Sequence, residues 1–258
     1  MSKIDLNSDV GESFGAYRIG ADVDVMRSIT SASVACGFHA GDPGVMRETV
    51  RLAKDAGVRI GAHPGFPDLV GFGRRELRAS PREVEDLVLY QIGALAAIAG
   101  SQGVSLSHVK AHGALYNMAA RDRPLADAIA RAVAAFDRAL ILFGLPDSEL
   151  LRAGEAAGLP VASEGFADRA YLADGSLAPR SVQGSVIHDA ERVLERSLRM
   201  VSDGEVAAVD GSRLRFKVDT LCVHGDTPGA AELTRRLREG LEQSGVTVAP
   251  MPVRSARA

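Results

Sequence analysis

Histidines, carboxylates and one lysine recur along this chain directly after short apolar runs, where each run gives way to a loop that contains glycine. Groups of these types can move protons, bind a divalent metal or stabilise an anion. Because they follow separate apolar runs, one pocket could hold most of them. The candidate catalytic residues are Asp9, Glu12, His39, His63, Lys110 and His112, and the other members of the set are Glu164, Asp219 and His224.

Two chemistries are compatible with this set. In the first, a divalent metal activates water and polarises an amide carbonyl, and its candidate ligands are Asp9, His39 and His63. In the second, no metal is needed, because carboxylates and histidines act as acid and base while Lys110 and arginines stabilise an anion or a phosphorylated intermediate. The residues leave both open, and no His-Glu-x-x-His pair marks a metal site.

Two loops have the composition of ligand-binding loops. Gly71 and Gly73 lie beside Arg74 and Arg75, and bare backbone N–H groups together with guanidinium groups bind phosphate or carboxylate. We therefore expect an anion-binding loop here, with a solvated basic turn as the alternative interpretation. The segment 171–181 is long, polar and irregular, which is typical of a lid or a binding loop.

Strand and helix patterns alternate along the chain at the spacing of βα units. The polar residues gather where strands lead into helices, as in an α/β barrel whose site lies at the carboxyl ends of its strands. We therefore predict a single irregular (β/α) barrel, with a doubly wound sheet as the alternative. The expected strands are 3–6, 33–36, 58–62, 106–109, 139–143, 159–163 and 219–223, and the expected helices are 21–30, 43–56, 80–99, 122–136, 147–157, 188–202 and 228–243.

Local signals set several boundaries. Asp42 precedes a proline, so we expect it to cap the second helix, because proline suits the first helical turn and aspartate accepts from the free N–H groups. An Asp-Gly pair between two strand-like runs predicts a small hairpin near 205–218. One barrel domain is expected over 1–250, followed by a flexible tail over 251–258.

Composition excludes several classes of protein. With 258 residues, 46% of them apolar, the chain can bury one sizeable core. A net charge of −3 does not favour binding to nucleic acid or to an anionic membrane. No apolar run reaches the roughly 20 residues needed to span a bilayer, and the first residues lack the apolar region of a signal peptide. Two cysteines, Cys36 and Cys222, are expected to be reduced and buried, which favours the cytoplasm.

Several nucleotide and esterase motifs are absent from the sequence. It contains no Gly-x-x-x-x-Gly-Lys-Ser/Thr loop, no strand-linked Gly-x-Gly-x-x-Gly and no Gly-x-Ser-x-Gly elbow. A nucleotide would therefore have to bind through other loops or through a partner chain.

Long blocks of this sequence, in the right order, resemble the LamB/YcsF family over nearly the whole chain. Ala111 and Ser33 depart from the family pattern, which favours proline and asparagine there, but neither change removes an ionisable group. The blocks are IDLNSDVGESFG at 4–15, SVACGFHAGDP at 33–43, IGAHPGFPD at 60–68, GFGRR at 71–75, HGALYN at 112–117, FADRAY at 166–171 and CVHGD at 222–226.

The resemblance implies cleavage of 5-oxo-L-proline to L-glutamate, coupled to hydrolysis of ATP to ADP and phosphate, in a complex with B and C subunits. It also implies a barrel of about seven strands, similar to that of metal-dependent deacetylases. Magnesium bound with ATP, or a bound transition metal, would fit this chemistry. The family members are A subunits of such an enzyme, and self-association into a homo-oligomer stays open.

On this basis we expect the barrel to hold the lactam and to open its ring, with Asp9 or Glu12 as base and His39 and His112 as proton partners. Two other functions remain as alternatives: a stand-alone metal-dependent deacetylase or amidohydrolase, and a non-catalytic ligand-binding subunit. The candidates for binding substrate or phosphate are Asp42, Gly71, Gly73, Arg74, Arg75, Tyr116, Asn117, Glu164, Asp168, Arg169, Arg180, His224 and Asp226.

Overall fold

The computed structural model describes residues 2–225 and 229–252. Its strands are β1 (Lys3–Val10), β2 (Ser31–Ala35), β3 (Arg59–His63), β4 (His108–Lys110), β5 (Ile141–Gly144), β6 (Val161–Phe166), β7 (Glu205–Ala207), β8 (Arg213–Arg215), β9 (Thr220–Cys222) and β10 (Thr247–Val248). Its helices are α1 (Asp22–Val25), α2 (Pro43–Asp55), α3 (Pro81–Gly100), α4 (Gly113–Ala119), α5 (Arg123–Phe136), α6 (Glu149–Ala156), α7 (Ala190–Ser202) and α8 (Ala230–Gln243).

Seven parallel strands close into a barrel in the order β1, β2, β3, β4, β5, β6, β9, because β9 pairs with both β6 and β1. The predicted barrel of about seven strands is thus confirmed. The doubly wound alternative is wrong, since such a sheet has two free edges and this one has none. β10 pairs in parallel with the first two residues of β1, Lys3 and Ile4. β7 and β8 form an antiparallel hairpin between α7 and β9.

Helix signals in the sequence explain how the outer layer forms. Asp42 accepts from the N–H groups of Gly44 and Val45 at the start of α2, as predicted. Ser80 and Glu83 form a capping box at the start of α3. The apolar residues of that helix recur at helical spacing and are buried against the barrel: Val84, Val88, Ile92, Leu95 and Ala99.

Several predicted boundaries are wrong. β1 runs on to Val10, four residues beyond the predicted end at residue 6. The first helix covers only Asp22–Val25 instead of 21–30, because the N–H of Thr30 bonds to Leu6 O and draws the chain into the barrel. α4 and β10 were not predicted at all.

The interior of the barrel is polar, which is unusual for a core. Asp5, Asn7 and Asp9 alternate along β1 and point inward. At the amino end, Asp5 accepts hydrogen bonds from the hydroxyls of Thr30, Ser31 and Thr220. Burial raises the pKa of Asp5, although these hydrogen bonds act in the opposite direction.

Both cysteines are buried and free, as predicted. Within residues 2–225 and 229–252, no helix has the length and apolarity needed to cross a membrane. Of the predicted tail, residues 253–258 lie outside the described residues.

Candidate active site

Lys110 ends β4 and places its ammonium group inside the barrel, where the residue is 2% exposed. Its Nζ lies 2.9 Å from Asp9 Oδ1 and 2.8 Å from Glu164 Oε1, and it donates to Asn7 Oδ1 at 3.1 Å. Burial by itself lowers the pKa of Lys110, but the Asp9 and Glu164 carboxylates outweigh it and hold that pKa well above its usual value. Lys110 is therefore a permanent buried cation.

A second layer of hydrogen bonds fixes this charge cluster. Asn7 Nδ2 donates to Glu164 Oε1 at 3.0 Å and to Thr220 Oγ1 at 2.7 Å. The Tyr116 hydroxyl donates to Glu164 Oε2 at 2.8 Å, so both oxygens of this fully buried carboxylate are used. Glu164 is therefore a partner of Lys110 and does not line the cavity above it.

His63 and His112 face each other beside Asp9 and Glu12. His63 Nδ1 lies 2.7 Å from Lys110 O, and His112 Nε2 lies 2.8 Å from Phe72 O. Carbonyl oxygens only accept hydrogen bonds, so each of these ring nitrogens carries the proton. The remaining nitrogens, His63 Nε2 and His112 Nδ1, are 2.9 Å apart.

Carboxylate oxygens flank this pair of nitrogens. Asp9 Oδ2 lies 3.4 Å from His63 Nε2, and Glu12 Oε1 lies 3.5 Å from His112 Nδ1. Burial, together with the neighbouring His39 and His63 rings, lowers the pKa of His112 well below its usual value. Burial by itself raises the pKa of Asp9, but His63 and Lys110 hold it well below its usual value.

His39 lies behind this pair. It is fully buried, and its ring stacks on that of His112 with 3.7 Å between centroids and 1° between planes. Among the described residues neither ring nitrogen of His39 has a hydrogen-bond partner, although Nε2 lies 3.6 Å from Glu12 Oε1. Burial and the nearby His63 lower the pKa of His39 well below its usual value, so the ring is neutral.

Glycines in the flanking loops leave room for the rings. A Cβ at Gly73 would lie 2.7 Å from His112 Cδ2, and a Cβ at Gly65 would lie 2.7 Å from His39 Nδ1. Phe72 has a φ of 55°, which is uncommon for a bulky residue, and this turn aims its carbonyl at His112. The Gly-Phe-Gly sequence therefore positions His112.

A cavity of about 270 Å³ opens above the cluster. Three arginines, Arg74, Arg169 and Arg180, line it. Arg169 donates to Ala178 O and Ser185 O, so it anchors the predicted lid segment, which forms one wall. Burial, followed by the charge of Arg180, lowers the pKa of Arg169 to about 10. Other candidate residues in the lining are Asp9, Glu12, His63, Lys110, His112, Tyr116, Asn117 and His224.

His224 and Asp168 form a separate pair on the far wall. His224 Nδ1 lies 3.0 Å from both oxygens of Asp168, and its ring stacks on Phe166 with 5.7 Å between centroids. Burial by itself raises the pKa of Asp168, but His224 outweighs it and lowers that pKa. The carboxylate thus holds His224 with its protonated Nδ1 away from the cavity.

Other predicted site residues lie elsewhere. Asp68 accepts from the Gly71 N–H and pairs with Arg75, so only Arg74 and the backbone near Gly73 turn toward the cluster. Asp42 caps α2 and does not line the cavity. Predicting Asp219 at a carboxyl strand end was wrong, because it is exposed and precedes β9, where its Oδ2 accepts from Ser163 N. Asp226 falls outside the described residues.

Sequence reasoning missed two contacts of the Lys110 ammonium group. Asn7 and Cys222 both lie within 3.1 Å of Nζ. The signal for Asn7 was present, since Asp5, Asn7 and Asp9 recur at the two-residue period of a strand with one face inward. Cys222 looked like an apolar core residue, and burial indeed raises the pKa of its thiol well above its usual value.

Comparison with known families decides which family this chain represents. The LamB/YcsF family matches over residues 4–256. The chain belongs to the LamB/YcsF family. Its relatives include proteins named as the A subunit of 5-oxoprolinase from Symbiobacterium thermophilum (58% identical over 95% of this chain and 94% of the relative), Pyrococcus abyssi (53% over 96% and 98%) and Bacillus subtilis (52% over 96% and 96%).

Solved structures agree with this assignment to the LamB/YcsF family. The lactam utilization protein from Thermus thermophilus superposes with a TM-score of 0.90 at 54% identity, over 96% of this chain and 99% of that one. A putative cellobiose-phosphate cleavage protein from Enterococcus faecalis has a TM-score of 0.56 at 15% identity, over 96% and 97%. That second similarity shows a shared fold only.

Proposed function

We propose that this LamB/YcsF chain is the A subunit of an ATP-dependent 5-oxoprolinase, which converts 5-oxo-L-proline to L-glutamate. The observation that carries the proposal is 58% identity, over 95% of the chain, to a relative named as the A subunit of 5-oxoprolinase. The cavity at the carboxyl end of the barrel is the place for the lactam, because the proton-transferring groups and the arginines converge there.

The size of the cavity supports a small substrate. Pockets for drug-sized ligands span roughly 300–1,000 Å³, and this one has about 270 Å³. A five-membered lactam with one carboxylate suits such a volume. We place ATP and its magnesium on the B and C subunits, which would phosphorylate the lactam oxygen. Because the reaction consumes ATP, we also place the complex in the cytoplasm.

The charges at the cavity support an anionic substrate. Arg74 and Arg180 offer guanidinium forks that match a carboxylate or a phosphate, and Lys110 lies beneath them as a permanent cation. A phosphorylated lactam carries both kinds of anion. We therefore propose that the arginines orient the substrate and that Lys110 stabilises negative charge that develops near the ring carbon.

The chemistry of ring opening assigns roles to the remaining residues. Water adds to the ring carbon of the phosphorylated lactam, the C–N bond breaks and the nitrogen takes up a proton, which leaves an acyl phosphate. A second water then releases phosphate and glutamate. We place water activation on Asp9, Glu12, His63 and His112, which line the cavity, and proton transfer to the ring nitrogen of the substrate on His224, whose Nδ1 lies 3.0 Å from Asp168.

The role that we assign to His39 differs from the predicted role of proton partner. It is fully buried and does not line the cavity, so we propose that it positions His112 by stacking and does not exchange protons with the substrate.

The test is release of glutamate and phosphate from 5-oxoproline and ATP, by this chain alone and with its B and C partners. We expect activity only in the mixture, and we expect His224→Gln to reduce it by about 100-fold or more, the scale of general acid catalysis. The exposed His188→Gln is the matched control and should keep full activity. Absence of glutamate in every combination would refute the proposal, and turnover of N-acetyl substrates without ATP would support a deacetylase instead.

A further inference from the structure

The facing nitrogens of His63 and His112 present a physical problem. Both rings donate their N–H groups to backbone carbonyls. The lone pairs on His63 Nε2 and His112 Nδ1 therefore point at each other across 2.9 Å. Two lone pairs at this distance repel unless a positive group lies between or beside them. The pair is buried, so bulk water does not relieve the repulsion.

One donor atom each from Glu12, His63 and His112 lies within 4.8 Å of the others, and Asp9 lies beside this group. Asp9 Oδ2 approaches His63 Nε2 to 3.4 Å, and Glu12 Oε1 approaches His112 Nδ1 to 3.5 Å. In a tetrahedral site with bonds of about 2.0–2.2 Å, neighbouring donor atoms lie about 3.3–3.6 Å apart. The Glu12 contact matches this spacing, and the contact between the nitrogens is slightly shorter.

We propose that Glu12, His63 and His112 bind one divalent transition-metal ion, of the zinc class, at the floor of the cavity. Two imidazole nitrogens and one carboxylate oxygen are the three protein ligands of one common type of catalytic zinc site, in which the fourth position is left for water or substrate. The backbone carbonyls of Lys110 and Phe72 hold the outer N–H groups of both rings, which is the usual second layer around metal-binding histidines. Bound there, the metal would lower the pKa of a water molecule and polarise a carbonyl.

This ligand set differs from the one expected from the sequence. His39 is left out, because its ring plane is parallel to that of His112 at 3.7 Å between centroids, and one ion cannot lie in both planes. Asp9 is also left out, because its oxygens group with Cys222 and His224 instead. The unpartnered His39 ring therefore supports the site from behind by keeping His112 in place.

The test uses the full chain without a histidine tag, depleted of metal and then titrated with Co²⁺, a spectroscopic substitute for zinc, with Zn²⁺ as competitor. We expect one ion per chain, with visible absorption bands that Zn²⁺ abolishes. His112→Asn should weaken binding by about 100-fold or more, while the exposed His188→Asn should bind like the wild type. Circular dichroism and the melting temperature establish that each variant is folded.

Two results would overturn the metal site: stoichiometric binding that His112→Asn and Glu12→Gln both leave intact, or no binding by the folded wild type. The second result would assign the gap between His63 and His112 to a shared proton. The metal site rests on the proposed function only in that both use the same cavity. Because the readout needs neither 5-oxoproline nor partner subunits, failure of metal binding and failure of glutamate release are separate outcomes.

Discussion

The Lys110 ammonium group balances the buried carboxylates of Asp9 and Glu164, which lie 2.9 and 2.8 Å away. Removing one partner of a buried ion pair costs about 3–5 kcal/mol, because the charge that stays behind has no compensation. We therefore expect Lys110→Met to lower the free energy of unfolding by about that amount. Urea denaturation followed by circular dichroism measures it.

A second substitution separates loss of charge balance from loss of packing. Adding Glu164→Gln to Lys110→Met removes one of the stranded carboxylates, so the double variant should regain part of the lost stability. Lys54→Met, at an exposed lysine on α2, is the control and should change stability by less than about 1 kcal/mol. A double variant that is destabilised by the full sum of its two single changes would contradict this account.

The length of β1 shows what could and could not be predicted from the sequence. The alternation of strand and helix patterns correctly predicted a barrel of parallel strands. β1 was predicted to stop at Leu6, because Asn7 and Asp9 do not look like core residues. Their partners, Glu164 and Lys110, lie more than a hundred residues away, and only the closed barrel brings them into contact.

Loop 71–75, which was predicted to bind an anion, illustrates the same limit on the other side of the site. The Gly-Phe-Gly-Arg-Arg sequence predicted that both arginines bind an anion, but Arg75 pairs with Asp68 and, of the two, only Arg74 lines the cavity. Sequence alone does not distinguish the two arginines, because the direction of each side chain depends on the positive φ of Phe72 and Gly73.

The same loop yields a prediction. Gly73 has a φ of 63°, and a Cβ there would lie 2.7 Å from His112 Cδ2 and 2.8 Å from His39 Cβ. Gly73→Ala should therefore displace both rings and reduce glutamate release by the assembled complex by about tenfold or more, since small misplacements of reacting groups cost that much or more. The measurement is steady-state activity together with the melting temperature.

Comparison of Gly73→Ala with Gly103→Ala separates the steric clash with His112 and His39 from the effect of backbone strain. Gly103 also has a positive φ, of 72°, but a Cβ there would meet no atom within 4 Å. Both variants carry the left-handed penalty of about 1–2 kcal/mol, so both should lose stability, and only Gly73→Ala should lose activity. Equal losses of activity in the two variants would show that strain alone, and not the His112 contact, is responsible.

The whole barrel depends on keeping its polar interior in one protonation state. His108 illustrates this, because it is buried, stacks on Phe143 and lies 2.9 Å from the Ser107 hydroxyl. The barrel is built around it, since a Cβ at Gly61 would lie 2.2 Å from its ring. Burial, followed by the positive charge of Lys110, lowers the pKa of His108 to about 3.

The lowered pKa of His108 predicts how the stability of the fold depends on pH. An unfolded histidine takes up a proton near pH 6.5, whereas folded His108 does so only near pH 3, so between these values the unfolded state binds more protons. The contribution of His108 to stability is complete above about pH 6.5 and is lost as the pH falls toward 3. At about pH 5 it should have declined by about 2 kcal/mol. His108→Gln does not titrate, so its free energy of unfolding should fall less steeply than that of the wild type between about pH 7.5 and 5. Parallel pH profiles for the two proteins, measured by urea denaturation, would show that His108 is not held neutral by the barrel.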